Sequence, residues 1–150
     1  MQMETGKQLK AAKVRSLTLD FCRKVGIDSS LVWVGAGSAL VMHGMRAHTQ
    51  DVDAGCSSST LLTIAALTHR PVEIIGPKQG YVSEAHLIRF PEFDLDMHAE
   101  DTTTRANLVL VDGVWCYNYH ALLQQKLTLN RPKDQADIIV LKQAILKGGR

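Results

Sequence analysis

The sequence predicts an α+β fold: a mixed β-sheet flanked by helices, with a helical C-terminal third. Three observations predict it. Apolar residues recur at three- and four-residue spacing near the start of the chain and again after residue 119, the period of helices with one buried stripe. Between these segments lie short apolar or alternating runs, residues 31–34, 85–90 and 93–98, with the two-residue period of strands. The dipeptide Asp112-Gly113, set between two apolar runs, is the signature of a tight β-hairpin.

In chain order, residues 7–25 are expected to be helical. Leu9, Val14, Leu17, Phe21 and Val25 form the apolar stripe, Lys10, Lys13, Arg15 and Lys24 face solvent, and Gly26 stands where a helix C-cap favours glycine. Residues 31–34 follow as a buried strand. A break at Gly35-Ala36-Gly37-Ser38 leads into a helix over 38–45, with Ser38 as its N-cap and Gly44 as its end. A second strand over 49–54 carries Asp51 and Asp53, followed by a turn over 55–59. Ser59 or Thr60 then caps a helix ending near His69, and residues 71–75 make a short strand. The turn-rich segment 76–80 is the expected mobile loop. After the strand over 85–90, Pro91 interrupts, and residues 93–98 alternate: Phe93, Leu95 and Met97 on one face, Asp94, Asp96 and His98 on the other. Hairpin strands over 108–111 and 114–117 precede a helix over 119–127 and a last helix over 133–146, with Pro132 at its start, where a missing N–H costs nothing.

Composition narrows the class. A length of 150 residues, 45% of them hydrophobic, is enough for one domain with a real core, expected to span 1–150. A net charge of +2 is too small to mark a nucleic-acid binder by bulk field. Three scattered cysteines without a Cys-x-x-Cys pair argue against a zinc knuckle or a disulfide framework, and the polar start and the lack of a spanning apolar run leave a cytoplasmic protein with no membrane association as the expectation. His43, His48 and His98 fit no compact zinc set. Trp33 and Trp115 read as core, while Tyr117 and Tyr119, near a hairpin end, remain open between core and site.

The chemistry gathers at the acids. Asp51 and Asp53, one residue apart on a strand, point to the same face, and paired carboxylates are costly unless a divalent ion balances them. With a third carboxylate from the 93–98 strand they could hold one or two Mg²⁺ (or Mn²⁺) ions, which clamp a polyphosphate. A glycine turn would let backbone approach those phosphates. No nucleophilic Ser or Cys is needed for such a transfer.

These residues carry a resemblance. Ala36-Gly37-Ser38, a spacer of twelve residues and Asp51-Val52-Asp53-Ala54 resemble the signature of the nucleotidyltransferase superfamily, the polymerase-beta-like fold. Arg46-x-x-Thr49-x-Asp51-x-Asp53 and Lys126-Leu127-x-x-x-Arg131-Pro132-Lys133-Asp134-x-x-Asp137-Ile138-x-x-Leu141 are similar to the branch holding abortive-infection and toxin–antitoxin nucleotidyltransferases, so that the likeness covers residues 31–146. The glycine pair departs from the pattern, being split by Ala36.

The resemblance implies transfer of a nucleoside monophosphate from an NTP to an acceptor, which would be a protein, an RNA or a small molecule. Asp51, Asp53 and Asp96 would hold the metal and do the catalysis, with Asp96 as base and Asp94 as the alternative third carboxylate. Gly37, Ser38, Lys126 and Lys133 would bind the nucleotide, and Lys133, Asp134 and Asp137 could equally form structural ion pairs. The alternative expectation is a protein of this fold with little or no turnover, acting by binding nucleotide or a partner protein.

Overall fold

Seven strands form one mixed sheet in the order β3-β4-β5-β2-β1-β7-β6. The computed structural model describes residues 7–77 and 83–149. Most of the expected mobile loop, residues 78–80, lies outside them.

Helix α1 (Ala11–Val25) buries Val14, Leu17 and Phe21, the stripe its spacing predicts, and Gly26 caps it at φ 88°, donating its N–H to the Cys22 carbonyl. Ahead of α1, Leu9 and Thr49 exchange two backbone hydrogen bonds of 2.7 and 2.9 Å, pinning the loop before the acids. Leu31 and Val32 are not strand. Asp28 accepts from the Ser30 N–H and starts a 3₁₀ turn over Ser29–Leu31, which leaves only Trp33–Val34 for β1.

Helix α2 (Ala36–Met42) starts two residues earlier than expected, on Gly35, so Ser38 lies inside it and is not its cap. Its first residue, Ala36, holds φ 48°, in the left-handed region that glycine would occupy without strain. Strand β2 (Val52–Cys56) runs through the residues expected to turn, and Asp51 lies just before it. Ser57 caps α3 (Ser58–Thr68) by accepting from the Thr60 N–H, two positions before Ser59 and three before Thr60, the expected caps. Strands β3 (Glu73–Ile75) and β4 (Ala85–Phe90) pair antiparallel.

Pro91 does more than interrupt: it opens a 3₁₀ turn over Pro91–Phe93, and Asp94 follows at φ 50°. Strand β5 is therefore Leu95–Ala99, and Asp94 is not on it beside Asp96. The hairpin forms as expected, β6 (Leu108–Val111) and β7 (Val114–Tyr117) joined by Asp112 and Gly113, both at positive φ as a type I′ turn requires. Asn118 caps α4 (Tyr119–Leu129), and a 3₁₀ turn over Pro132–Asp134 leads into α5 (Gln135–Leu146).

β1 is antiparallel to β2 and parallel to β7, and β2 is parallel to β5. Helices α1 and α3 pack against each other and onto the sheet. Helix α4 docks on β7 and α2, and α5 packs on α4. The core is continuous from Phe21, edge-on to Phe90 at 4.8 Å, through Val34, Val52 and Met97 to Leu122 and Leu141. Trp33 joins it. Trp115 is only half-buried, with the Arg105 guanidinium 4.5 Å from its ring centre. Among the described residues no helix is long and apolar enough to cross a membrane.

Candidate functional site

A cleft of about 1080 Å³ opens between the acid-bearing end of β2 and the α4–α5 helices, lined by Gly35, Gly37, Asp51, Asp53, His98 and Glu100 on one side and Gln125, Lys126, Arg131 and Lys133 on the other.

Asp53 is in register with Asp96 on the adjacent parallel strand, so the two carboxylates share a sheet face. Asp51 stands at the mouth, its carboxyl raised by burial and by the charges of Asp96 and Asp94, with His98 opposing. Asp53 is pushed up to about 6, first by burial, then by Asp51, Asp96 and Glu100, again against His98. His98 donates from Nδ1 to the Ala54 carbonyl at 3.3 Å, which holds its ring among these acids. Asp53 and Asp96 thus lie side by side with Asp51 nearby, but the three carboxylates are not close enough together to hold one ion. Asp94 is drawn away, ion-paired to Lys7 at 2.6 Å, while its carbonyl accepts from the Val52 N–H at 2.7 Å.

Ser38 is fully buried and acts as a clamp. Its Oγ donates to the Asp51 carbonyl at 3.0 Å and accepts from the Asp53 N–H at 2.8 Å, so its hydroxyl fixes the spacing of the acid pair from behind. Gly37 is needed for close packing: a Cβ there would lie 2.5 Å from Arg46 Nη1 and 3.1 Å from Thr49 Oγ1. Arg46 in turn pairs with Asp137 at 2.8 Å.

From Asp137 a chain of ion pairs crosses the opposite wall. Lys126, 6% exposed, lies 3.3 Å from Asp137 and 3.4 Å from Asp134. Arg131 bonds Asp134 through Nε at 2.8 Å and Nη2 at 3.0 Å, and these bonds hold the Asp134 carboxyl well below the usual range. Arg46, Lys126 and Arg131 against Asp134 and Asp137 leave one positive charge in excess, and exposed Lys133 adds another at the rim. Of the two roles open to this motif, Asp134 and Asp137 take the structural one.

Glu100 is a site residue that the sequence reading missed. Its Oε1 accepts from Trp33 Nε1 at 2.6 Å and from the Tyr117 hydroxyl at 3.0 Å, and burial raises its carboxyl against those two bonds. Gly55 makes room for it, since a Cβ there would stand 2.1 Å from Glu100 Oε1. The available signal was parity: Asp96, His98 and Glu100 continue one face of β5 beyond its last residue. Tyr117 is thereby a cleft residue, and His43 is tied into the fold by donating from Nε2 to the Tyr117 carbonyl at 2.8 Å.

Among the described residues no three His, Cys, Asp or Glu side chains stand close enough to hold a metal ion by themselves. The donor set still suits a hard cation of the Mg²⁺ type. Such ions are held by one or two carboxylates, the remaining positions going to phosphate and water oxygens, and Asp51 and Asp53 supply two carboxylates whose mutual repulsion a cation would relieve. Comparison with models of known protein families returned no match, and comparisons with curated proteins and with solved structures returned none either.

Proposed function

We propose that the cleft binds a nucleoside triphosphate together with Mg²⁺ or Mn²⁺ and transfers its nucleoside monophosphate to an acceptor, as a nucleotidyltransferase. The observation that carries this reading is one cleft with two opposite walls: Asp51 and Asp53 line one, with Asp96 beside Asp53 on the adjoining strand, and a cation-rich chain from Arg46 to Arg131 faces them. Asp51 and Asp53 would hold the ion, which supplies charge neutralisation at the phosphates. Asp96 takes the proton of the acceptor hydroxyl as the new oxygen–phosphorus bond forms and pyrophosphate leaves. Lys133, exposed at the rim, steadies the departing phosphates, while buried Lys126 adds its charge from within the wall. The acceptor is a protein, an RNA or a small molecule, and nothing in the cleft selects among them.

The test is transfer of label from α-³²P-NTP in the presence of Mg²⁺. The wild type should label its acceptor, and Asp51→Ala should stop labelling while keeping the wild-type circular dichroism. Equal labelling by the two proteins would refute the catalytic reading.

A second reading, nucleotide binding without turnover, is favoured by one observation. The Ser38 hydroxyl and the Lys126 ammonium are both engaged within the protein. It predicts a calorimetric heat with ATP and Mg²⁺ but no labelled product with any acceptor class.

A further inference from the structure

The α4 stretch of the cleft differs in kind from the acids and the cations on either side of it. Ala121, Gln124, Gln125 and Thr128 carry no charge and recur at helical spacing, so one uncharged stripe of α4 faces the cleft between the acids of β2 and the cations beyond Lys126. Charged walls suit phosphate and metal; a wall of amide and hydroxyl groups suits a neutral heterocycle.

Within that stripe stands an unmet acceptor. Among the described residues Gln125 Oε1 is the buried side-chain polar atom that lacks a hydrogen-bond partner. A buried amide oxygen without a donor is unfavourable, and native folds keep very few of them, often where a ligand completes the pairing. Helix α4 holds Gln125 firmly: Asn118 caps its start, and the next residue, Lys126, is locked between Asp134 and Asp137. The unmet oxygen is therefore carried on a rigid element, as a specificity contact requires.

We propose that Gln125 reads the base of the bound nucleotide, its side chain turning out of the closed position that leaves Oε1 unpaired so that this oxygen accepts a hydrogen bond from an N–H on the base's pairing edge. This rests on the nucleotide reading of the cleft and goes beyond it by assigning a residue to base selectivity. Loss of an acceptor that a bound donor needs leaves the donor unpaired, so selectivity should suffer more than overall affinity.

The experiment is calorimetry of wild type, Gln125→Leu and Gln125→Glu with ATP, GTP, CTP and UTP in turn, each with Mg²⁺, and with inorganic tripolyphosphate. Wild type should prefer one base. In Gln125→Leu that preference should shrink by about tenfold or more, with tripolyphosphate binding unchanged. Gln125→Glu keeps an acceptor oxygen and should keep the preference, which guards against a folding artefact in the leucine variant. Wild-type binding that ignores the base, or a Gln125→Leu variant that weakens all four nucleotides by one common factor or none, overturns the assignment while leaving nucleotide binding in place. If no nucleotide binds wild type at all, the reading of the cleft falls and this assignment falls with it.

Discussion

Asp53 sits where several unfavourable influences meet: it is half-buried, Asp51 is two residues away, and Asp96 and Glu100 lie on the neighbouring strand and its extension. Its carboxyl, pushed up to about 6, binds its proton more tightly in the folded chain than in the unfolded one. The sign follows by linkage. Stability from this group is fully present below about pH 4 and is lost as pH rises through 6, a loss of about 3 kcal/mol by neutral pH. Asp53→Asn should therefore flatten the fall in stability between pH 4 and 6 and raise stability at pH 7 by about 1–2 kcal/mol, measured by urea denaturation across that range. Under the proposed function, Mg²⁺ should raise the Tm of wild type at pH 7 and leave that of Asp53→Asn nearly unmoved. A variant as pH-dependent as wild type would show that the acid pair is not the source. Asp51 and Asp53 could be found in the sequence because an acid pair at strand spacing is a local pattern. For Glu100 parity with Asp96 and His98 gave only its face; its burial depends on Trp33 and Tyr117, which are distant in the chain.

At the scale of elements, α2 and the entry to β2 are joined by a single hydroxyl. Ser38→Ala removes two buried hydrogen bonds and leaves the Asp53 N–H and the Asp51 carbonyl without that partner, at a cost of about 1–3 kcal/mol. Thermal unfolding should show the loss, and a matching loss of pH dependence between pH 4 and 6 would show that the serine also sets the spacing of the two acids. An unchanged Tm would remove it from both roles. The same elements show where local pattern suffices. Periodicity and the Gly26 cap located the C-terminal end of α1, and Asp112-Gly113 set the hairpin to the residue, because both signals are carried by adjacent side chains. Where a short-range polar contact or a proline redirected the backbone, periodicity misled. Asp28 turned the start of the expected first strand into a 3₁₀ turn, and Pro91 moved Asp94 off the strand that its alternation implied. Ser38 has the residue type of a helix cap, but its tertiary bonds to β2 placed it inside the helix.

Across the whole molecule, the ion-pair chain from Arg46 through Asp137, Lys126 and Asp134 to Arg131 ties the loop before β2 to the last two helices. Asp134 is 1% exposed, so Asp134→Ala would take the carboxylate partner from Arg131 and one of two from buried Lys126, and should cost about 2–3 kcal/mol, read as a lowered urea midpoint. A drop no larger than that of a surface carboxylate would make the chain ornamental. Asp134 also acts on pH in the sense opposite to Asp53. Its carboxyl is held low, so its contribution is present above about pH 4 and is lost on further acidification. The motif hinted at this network, but only the packing of α4 on α5 shows that Lys126 is enclosed by it. One consequence follows from the shortness of β1. Among the described residues its two residues are the ladder that joins the β3-β4-β5-β2 ribbon to the β7-β6 hairpin, so the sheet has a seam at Trp33–Val34. The acids lie on one side of that seam, and the hairpin with the helices docked on it lies on the other. Helices α1 and α2, which both pack on β2 and on β7, brace that seam, and the Arg46–Asp137 pair adds a polar tie from the loop before β2 to α5.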